Sequence, residues 1–226
     1  MKYAKIHKGK FISRPNRFIA HVELDGRNEI CHVKNTGRLK ELLVPGAVVY
    51  LEESAGSGRK TKYDLIAVEK GNILVNMDSQ APNIAVKEWL LAGGLYPNPL
   101  RVSPEYKYAD SKIDFYIEDD NRRALIEVKG VTLEREGVAA FPDAPTQRGV
   151  RHIHDLIRAA KDGYEAYVIF VVQFRPVKLF VPNDETHPEF GQALREAERA
   201  GVRILAYDCV VAPDGMKLDR RVDVSL

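Results

Sequence analysis

Residues 112–129 constrain this chain more than any other stretch. Apolar and polar residues alternate through Ile113-Asp114-Phe115-Tyr116-Ile117 and again through Ala124-Leu125-Ile126-Glu127-Val128, on either side of Glu118-Asp119-Asp120-Asn121. A period of two on both flanks of a polar turn predicts a β-hairpin. Asp120 and Asn121 tolerate positive φ, so a type I′ turn is expected there. The register then pairs Ile113 with Val128, Phe115 with Ile126 and Ile117 with Ala124 on one apolar face, and sets Asp119 against Arg122 and Glu118 against Arg123. On the other face Asp114 stands opposite Glu127, with Lys129 two residues further along the same side.

Two carboxylates at cross-strand distance repel. Three things offset such a pair: a raised pKa on one acid, the neighbouring Lys129, or a divalent cation that takes oxygens from both. A pair of solvated acids on an exposed sheet face is the plain alternative.

The 226 residues suffice for one large domain or two small ones, and charge divides them unevenly. Residues 1–80 hold 14 Lys and Arg against 9 Asp and Glu, whereas residues 81–226 hold 20 against 23. A basic front half suits a polyanion, and a back half with its own acids suits a separate site. The chain has no apolar run long enough to span a membrane, and Met1-Lys2-Tyr3-Ala4-Lys5 lacks a signal core. With Cys31 and Cys209 far apart, two reduced thiols in a cytoplasmic protein are expected.

Residues 1–80 read as all-β. Five short strands are expected, at 18–24, 29–33, 48–51, 63–68 and 72–76, with a possible short helix around 36–43 and a flexible loop at Ser54-Ala55-Gly56-Ser57-Gly58. That count fits a small OB-like barrel, with an SH3-like barrel as the alternative. Arg14, Arg17, Arg38, Arg59, Lys60 and Lys62 fall mainly in loops and suit phosphate contacts, while Phe18 or Tyr63 could stack a base. A solvated basic surface over core aromatics is the competing interpretation.

A boundary is expected near residue 81. Asn83 is read as the cap of a helix stopped by Gly93-Gly94. A strand at 101–108 precedes the hairpin, and residues 130–145 are expected to be irregular and long enough to suggest function. Thr146 can cap a helix with the apolar stripe Val150, Ile153, Leu156, Ile157 and Ala160. Residues 166–172 and 202–207 read as buried strands joined by a helix over 188–200, a parallel βαβ unit. The tail after Pro213-Asp214-Gly215 is expected as an edge hairpin or docked extension. The whole reads as an α/β protein, a barrel followed by a mixed sheet flanked by helices.

Asp114, with Glu127-Val128-Lys129 on the adjacent strand and helices before and after, resembles the PD-(D/E)xK nuclease core. Lys112-Ile113 stands where that motif has proline, so only the acid of that half is present. The resemblance implies that Asp114 and Glu127 hold Mg²⁺ or Mn²⁺, that Lys129 orients a water or stabilises developing charge, and that Glu88 adds a further acid, with Glu105 as alternative. A broader resemblance covers nearly the whole chain. Arg14-Pro15-Asn16-Arg17-Phe18, His32 through Arg38, Arg59 through Leu65, Ser111 through Phe115, Glu127-Val128-Lys129 with Val131-Thr132-Leu133, and Phe141 through Gly149 with His152 are similar to the sugar fermentation stimulation protein A family. Membership implies an OB-like domain joined to a nuclease-like domain, non-specific DNA binding and a role in regulating sugar metabolism. On that basis Thr146, Arg148 and His152 belong to a helix whose N-terminus favours phosphate. His152 and His154 diverge on a helix and do not make a zinc pair.

Three functions remain open from these residues: DNA binding with a metal-dependent phosphodiesterase site, DNA binding without catalysis, and a metal-dependent enzyme acting on a small anionic metabolite.

Overall fold

The computed structural model describes residues 1–54 and 58–226. Most of the 54–58 loop therefore lies outside the described residues. The first sheet contains β1 (Ile6–Asn16), β2 (Ile19–Leu24), β3 (Arg27–Val33), β4 (Val48–Glu53), β5 (Tyr63–Lys70) and β6 (Ile73–Asn76), in the order β3-β2-β1-β4-β5-β6. A parallel pairing of β3 with β5, Cys31 beside Tyr63 and Val33 beside Leu65, closes β1–β5 into a barrel. Closure leaves these strands no free edge. Ala20, Val22 and Leu24 alternate inward along β2 and pack with Phe11, Val49, Leu51 and Leu65. Gly9 lets β1 pass β2 closely, since a Cβ there would lie 2.8 Å from the Glu23 carbonyl oxygen.

Two expectations for this half need correction. β1 is an additional strand, hidden in the sequence because only Gly9 and Phe11 of its eleven residues are buried. Residues 36–43 form turns rather than a helix, yet Leu39, Leu42 and Leu43 still pack into the barrel core.

The second unit is a nine-stranded mixed sheet. It comprises β7 (Arg101–Tyr108), β8 (Ser111–Glu118), β9 (Arg123–Val131), β10 (Leu133–Arg135), β11 (Val138–Phe141), β12 (Glu165–Val172), β13 (Leu179–Pro182), β14 (Arg203–Ala212) and β15 (Gly215–Val224). The order is β10-β11-β13-β15-β14-β12-β9-β8-β7. Helix α1 (Ala81–Leu91) lies on one face with Phe115, Ile126, Val128 and Ile169. Helices α2 (Gln147–Lys161) and α3 (Pro188–Arg199) lie on the other with Leu125, Val168 and Phe170, in a core continuous with that of the barrel. The expected parallel βαβ unit is present, β12 beside β14 with α3 between them in sequence.

Residues 130–145 are more ordered than expected, because β10 and β11 extend the sheet. The terminal hairpin β14–β15 lies inside the sheet rather than at its edge, since β13 pairs with β15 as well. Strands β10, β11 and β13, of three or four residues, carry too little periodicity to stand out in sequence.

The β8–β9 hairpin keeps the expected register at Phe115–Ile126, Tyr116–Leu125, Ile117–Ala124 and Glu118–Arg123. Its turn is not type I′: neither Asp120 nor Asn121 has positive φ. Instead Asp119 Oδ1 accepts from the backbone N–H groups of Asn121 and Arg122 at 3.1 and 2.8 Å, and Oδ2 pairs with the Arg122 guanidinium at 2.6 Å. The regular ladder stops at Phe115–Ile126. Beyond it Ile113 falls into the core that holds Leu125 and Tyr116, whereas Phe115, Ile126 and Val128 share the other face, so Ile113 does not join Val128 as expected. This break is where Asp114 sits.

A buried amide network joins the two units. Gln173 Nε2 donates to Asn76 Oδ1 and to the Asp78 carbonyl, both at 3.0 Å, while Asn76 N donates to the Gln173 carbonyl at 2.9 Å. No helix among the described residues is long and apolar enough to cross a membrane.

Candidate metal and phosphate site

Where the β8 ladder ends, the Asp114 carboxylate turns back onto its neighbours. Oδ2 accepts from the backbone N–H of Val128 at 2.8 Å and Oδ1 from Asn83 Nδ2 at 2.9 Å. Asn83 therefore does not cap α1; it lies in the first turn and reaches across to the strand. Burial and the nearby Glu127 carboxylate raise the Asp114 pKa above the ordinary carboxylate range.

Glu127 is only 2% exposed. Burial pulls its pKa upward, but hydrogen bonds from His152 and Lys129, with the lysine charge, outweigh burial and hold it below the ordinary value. Both donors meet on one oxygen, Oε1: Lys129 Nζ at 2.5 Å and His152 Nδ1 in a short contact. On its far side His152 Nε2 accepts from Arg148 Nε at 3.3 Å. A guanidinium can only donate, so Nε2 is the acceptor and Nδ1–H points at the carboxylate. The other oxygen, Glu127 Oε2, is buried without a hydrogen-bond partner. An unpaired carboxylate oxygen in that setting calls for an electropositive neighbour.

Among the described residues no three His, Cys, Asp or Glu side chains gather closely enough to hold a metal ion. Asp114 and Glu127 alone supply a two-carboxylate donor set of hard oxygens. It fits Mg²⁺, Mn²⁺ or Ca²⁺, which accept water or phosphate oxygens at their remaining positions. Glu88 does not join it: its carboxylate is bound to the Met1 ammonium at 2.5 Å. Glu105, exposed at a positive-φ position of β7, pairs with Lys112 at 3.5 Å.

Helix α2 starts on Thr146, whose Oγ1 accepts from Gly149 N at 3.0 Å, as expected of its cap. From there the helix presents exposed Arg148, Arg151 and Arg158. With Lys112, Ser111, His152 and Asp155 they line a groove of about 370 Å³. Buried Asp155 fixes its floor, accepting from Ser111 Oγ at 2.5 Å and pairing with Arg158. Arg151, Arg158 and Lys112 were not singled out from sequence. The spacing of Arg148, Arg151 and Arg158 at i, i+3 and i+10, near one helix face, was the available signal.

The barrel cations divide into two groups. Arg14 is a structural clamp whose guanidinium donates to the carbonyls of Arg17, Asn35, Gly37 and Arg38 at 2.7 to 2.9 Å. Arg59 forms a two-point pair with buried Asp64 at 2.5 and 2.8 Å, joined by His32 at 2.9 Å. Neither guanidinium is presented as a free phosphate contact. Arg17, Arg38, Lys60 and Lys62 are exposed. Phe18 is half exposed beneath Arg17, whereas Tyr63 is buried and unavailable to a base.

An OB-like barrel joined to a mixed-sheet domain flanked by helices, with two carboxylates and a lysine on the adjacent strands β8 and β9, defines the class of protein. Two family models agree: "SfsA N-terminal OB domain" matches residues 12–77, and "Sugar fermentation stimulation protein RE domain" matches residues 80–215. The chain belongs to the sugar fermentation stimulation protein family. It is 55% identical over 226 residues to a sugar fermentation stimulation protein homolog of Ruminiclostridium cellulolyticum and 54% identical to one of Clostridium beijerinckii, covering all of each chain. The solved structure of Pyrococcus furiosus SfsA in complex with Ca²⁺ is also similar, with a TM-score of 0.88 and 28% identity, across all of this chain and 98% of that one.

Proposed function

We propose that this protein binds nucleic acid without sequence preference and carries a divalent-metal phosphodiesterase site at Asp114 and Glu127. The observation that carries the proposal is the buried, unpartnered Oε2 of Glu127 beside Asp114. The Ca²⁺ in the Pyrococcus relative supports it. A bound Mg²⁺ or Mn²⁺ would polarise a phosphodiester oxygen and lower the pKa of a water. Asp114 and Glu127 would hold it. Asn83 and the Val128 N–H orient Asp114, and His152 orients Glu127. Lys129 uses one N–H on Glu127, and its remaining donors can meet negative charge developing on phosphate. Arg148 and Arg151, with the Thr146 end of α2, receive the flanking phosphates. Exposed Arg17, Arg38, Lys60 and Lys62 extend the contact onto the barrel. The name of the relatives suggests a physiological setting in sugar metabolism.

The test compares nicking of a plasmid by the protein and by Asp114→Ala with Mg²⁺ or Mn²⁺, alongside DNA binding at several salt concentrations. Metal-dependent nicking lost in the variant supports the proposal. Intact binding without nicking supports a second reading, a DNA-binding module without catalysis. That reading is favoured by the absence of a third acid among the described residues.

A further inference from the structure

Three segments far apart in the chain close on one cleft between the barrel and the mixed-sheet domain. The barrel loop Asn35-Thr36-Gly37, the start of the segment after Lys129, and the run from Ala140 to Thr146 enclose about 300 Å³, with Ser79 and Gln173. The loop has a fixed shape. Arg14 holds the carbonyls of Asn35, Gly37 and Arg38, Asn35 Nδ2 donates to the Met77 carbonyl at 2.8 Å, and Gly37 N donates to Asn35 Oδ1 at 2.7 Å. It approaches the second unit closely, because a Cβ on Gly37 would lie 2.5 Å from Asp143 Oδ2.

The lining contains no lysine or arginine. It offers the hydroxyls of Thr36, Thr132 and Thr146 and a single acid, Asp143, while the Asn35 amide and the Gln173 Nε2 group are held by the loop and by the interdomain network. Phe141 and Pro142 add apolar surface. A phosphate would find no cation inside, whereas a flat neutral ring with donors and acceptors on its edge would find partners and an apolar wall.

Position decides which ring. Lys129 directly precedes Gly130 in the cleft wall, and Thr146 in that wall starts the helix that carries Arg148 and Arg151 to the cationic groove. Glu127, two residues before Lys129 on β9, is bound to His152, which lines the groove. From Thr146 to Arg151 the helix rises roughly 7.5 Å, so the cleft and the groove share one short length of α2.

We propose that this interdomain cleft is a nucleoside site. It takes one unstacked base of a single strand whose adjoining phosphate lies at Asp114 and Glu127 and whose next phosphate lies in the α2 groove. This rests on the nucleic-acid reading above and adds to it that the strand must be single or locally opened.

The experiment uses the full chain in Ca²⁺ with a short oligothymidine that carries one 2-aminopurine. Probe intensity reports unstacking of that base, and the anisotropy of an end label on the same strand reports binding. The expected result is a rise in intensity that saturates together with anisotropy. Thr36→Phe, which fills the cleft from an exposed loop, should abolish the rise while shifting the anisotropy midpoint by no more than about threefold, under 1 kcal/mol. Thr132→Val, which removes one hydroxyl at nearly constant volume, should reduce the rise and serves if Thr36→Phe does not fold. Saturating anisotropy with unchanged probe intensity overturns the nucleoside site but leaves nucleic-acid binding standing. So does a full rise in a folded Thr36→Phe. No anisotropy change for any strand at low salt overturns both readings.

Discussion

His152 reaches across from α2 to occupy one oxygen of the Glu127 carboxylate, and the other oxygen, equally buried, is left open. The imidazole thereby fixes which way Glu127 faces. Removing it leaves Glu127 with Lys129 alone, so His152→Ala should destabilise the fold by about 1–3 kcal/mol. The same change should weaken Mn²⁺ binding by roughly 10- to 100-fold, as loss of an orienting partner does at metal sites. Denaturant titration and calorimetry check the two. His152→Gln, which can still donate to Oε1, should recover part of the metal affinity.

Asp114 and Glu127 are driven apart in pKa, and the signs differ. Asp114 is raised, so its contribution to stability is full below its unfolded pKa and is lost as pH rises through the folded value. Glu127 is lowered, so its contribution is present above its unfolded pKa and is lost as pH falls through the folded value. Without metal, Asp114→Asn should therefore be at least as stable as wild type at neutral pH, and that advantage should shrink on acidification. Millimolar Mn²⁺ should raise the melting temperature of wild type and leave the variant unchanged. Melting curves across pH, with and without metal, provide the check.

Arg14→Lys separates structure from binding. Lysine cannot serve four carbonyls in a fan, so the variant should lose about 1–3 kcal/mol. Its DNA affinity should keep the wild-type dependence on salt, because Arg14 is not offered to phosphate. Arg151→Ala should do the reverse, leaving stability within about 0.5 kcal/mol and reducing the salt slope by roughly 0.9. Urea titration and binding at several salt concentrations distinguish the two arginines.

Much of this site could be read from residue order. Alternation in 112–129 gave four of the hairpin's pairings, because period two leaves little freedom of register. Thr146 ahead of the apolar stripe from Val150 to Ala160 marked the start of α2, and the continuous apolar run at 166–172 marked a buried strand, β12. What escaped were features set by tertiary contact. Ile113 leaves its expected face where Asp114 turns to Val128 and Asn83. Arg14 and Arg59 looked like loop cations, but carbonyls and Asp64 capture them, and no local pattern encodes that. Glu88 had the right charge on the right helix, yet the Met1 ammonium holds it. The short strands β10, β11 and β13 exist only because neighbouring strands give them a ladder to join.

A crystal of the protein soaked in Mn²⁺ and measured at the manganese edge tests the central claim most directly. The account predicts an anomalous peak in inner-sphere contact with Glu127 Oε2 and an Asp114 oxygen, absent in Glu127→Gln. A well-soaked crystal with no peak between these two carboxylates, or with manganese bound only elsewhere, would contradict it.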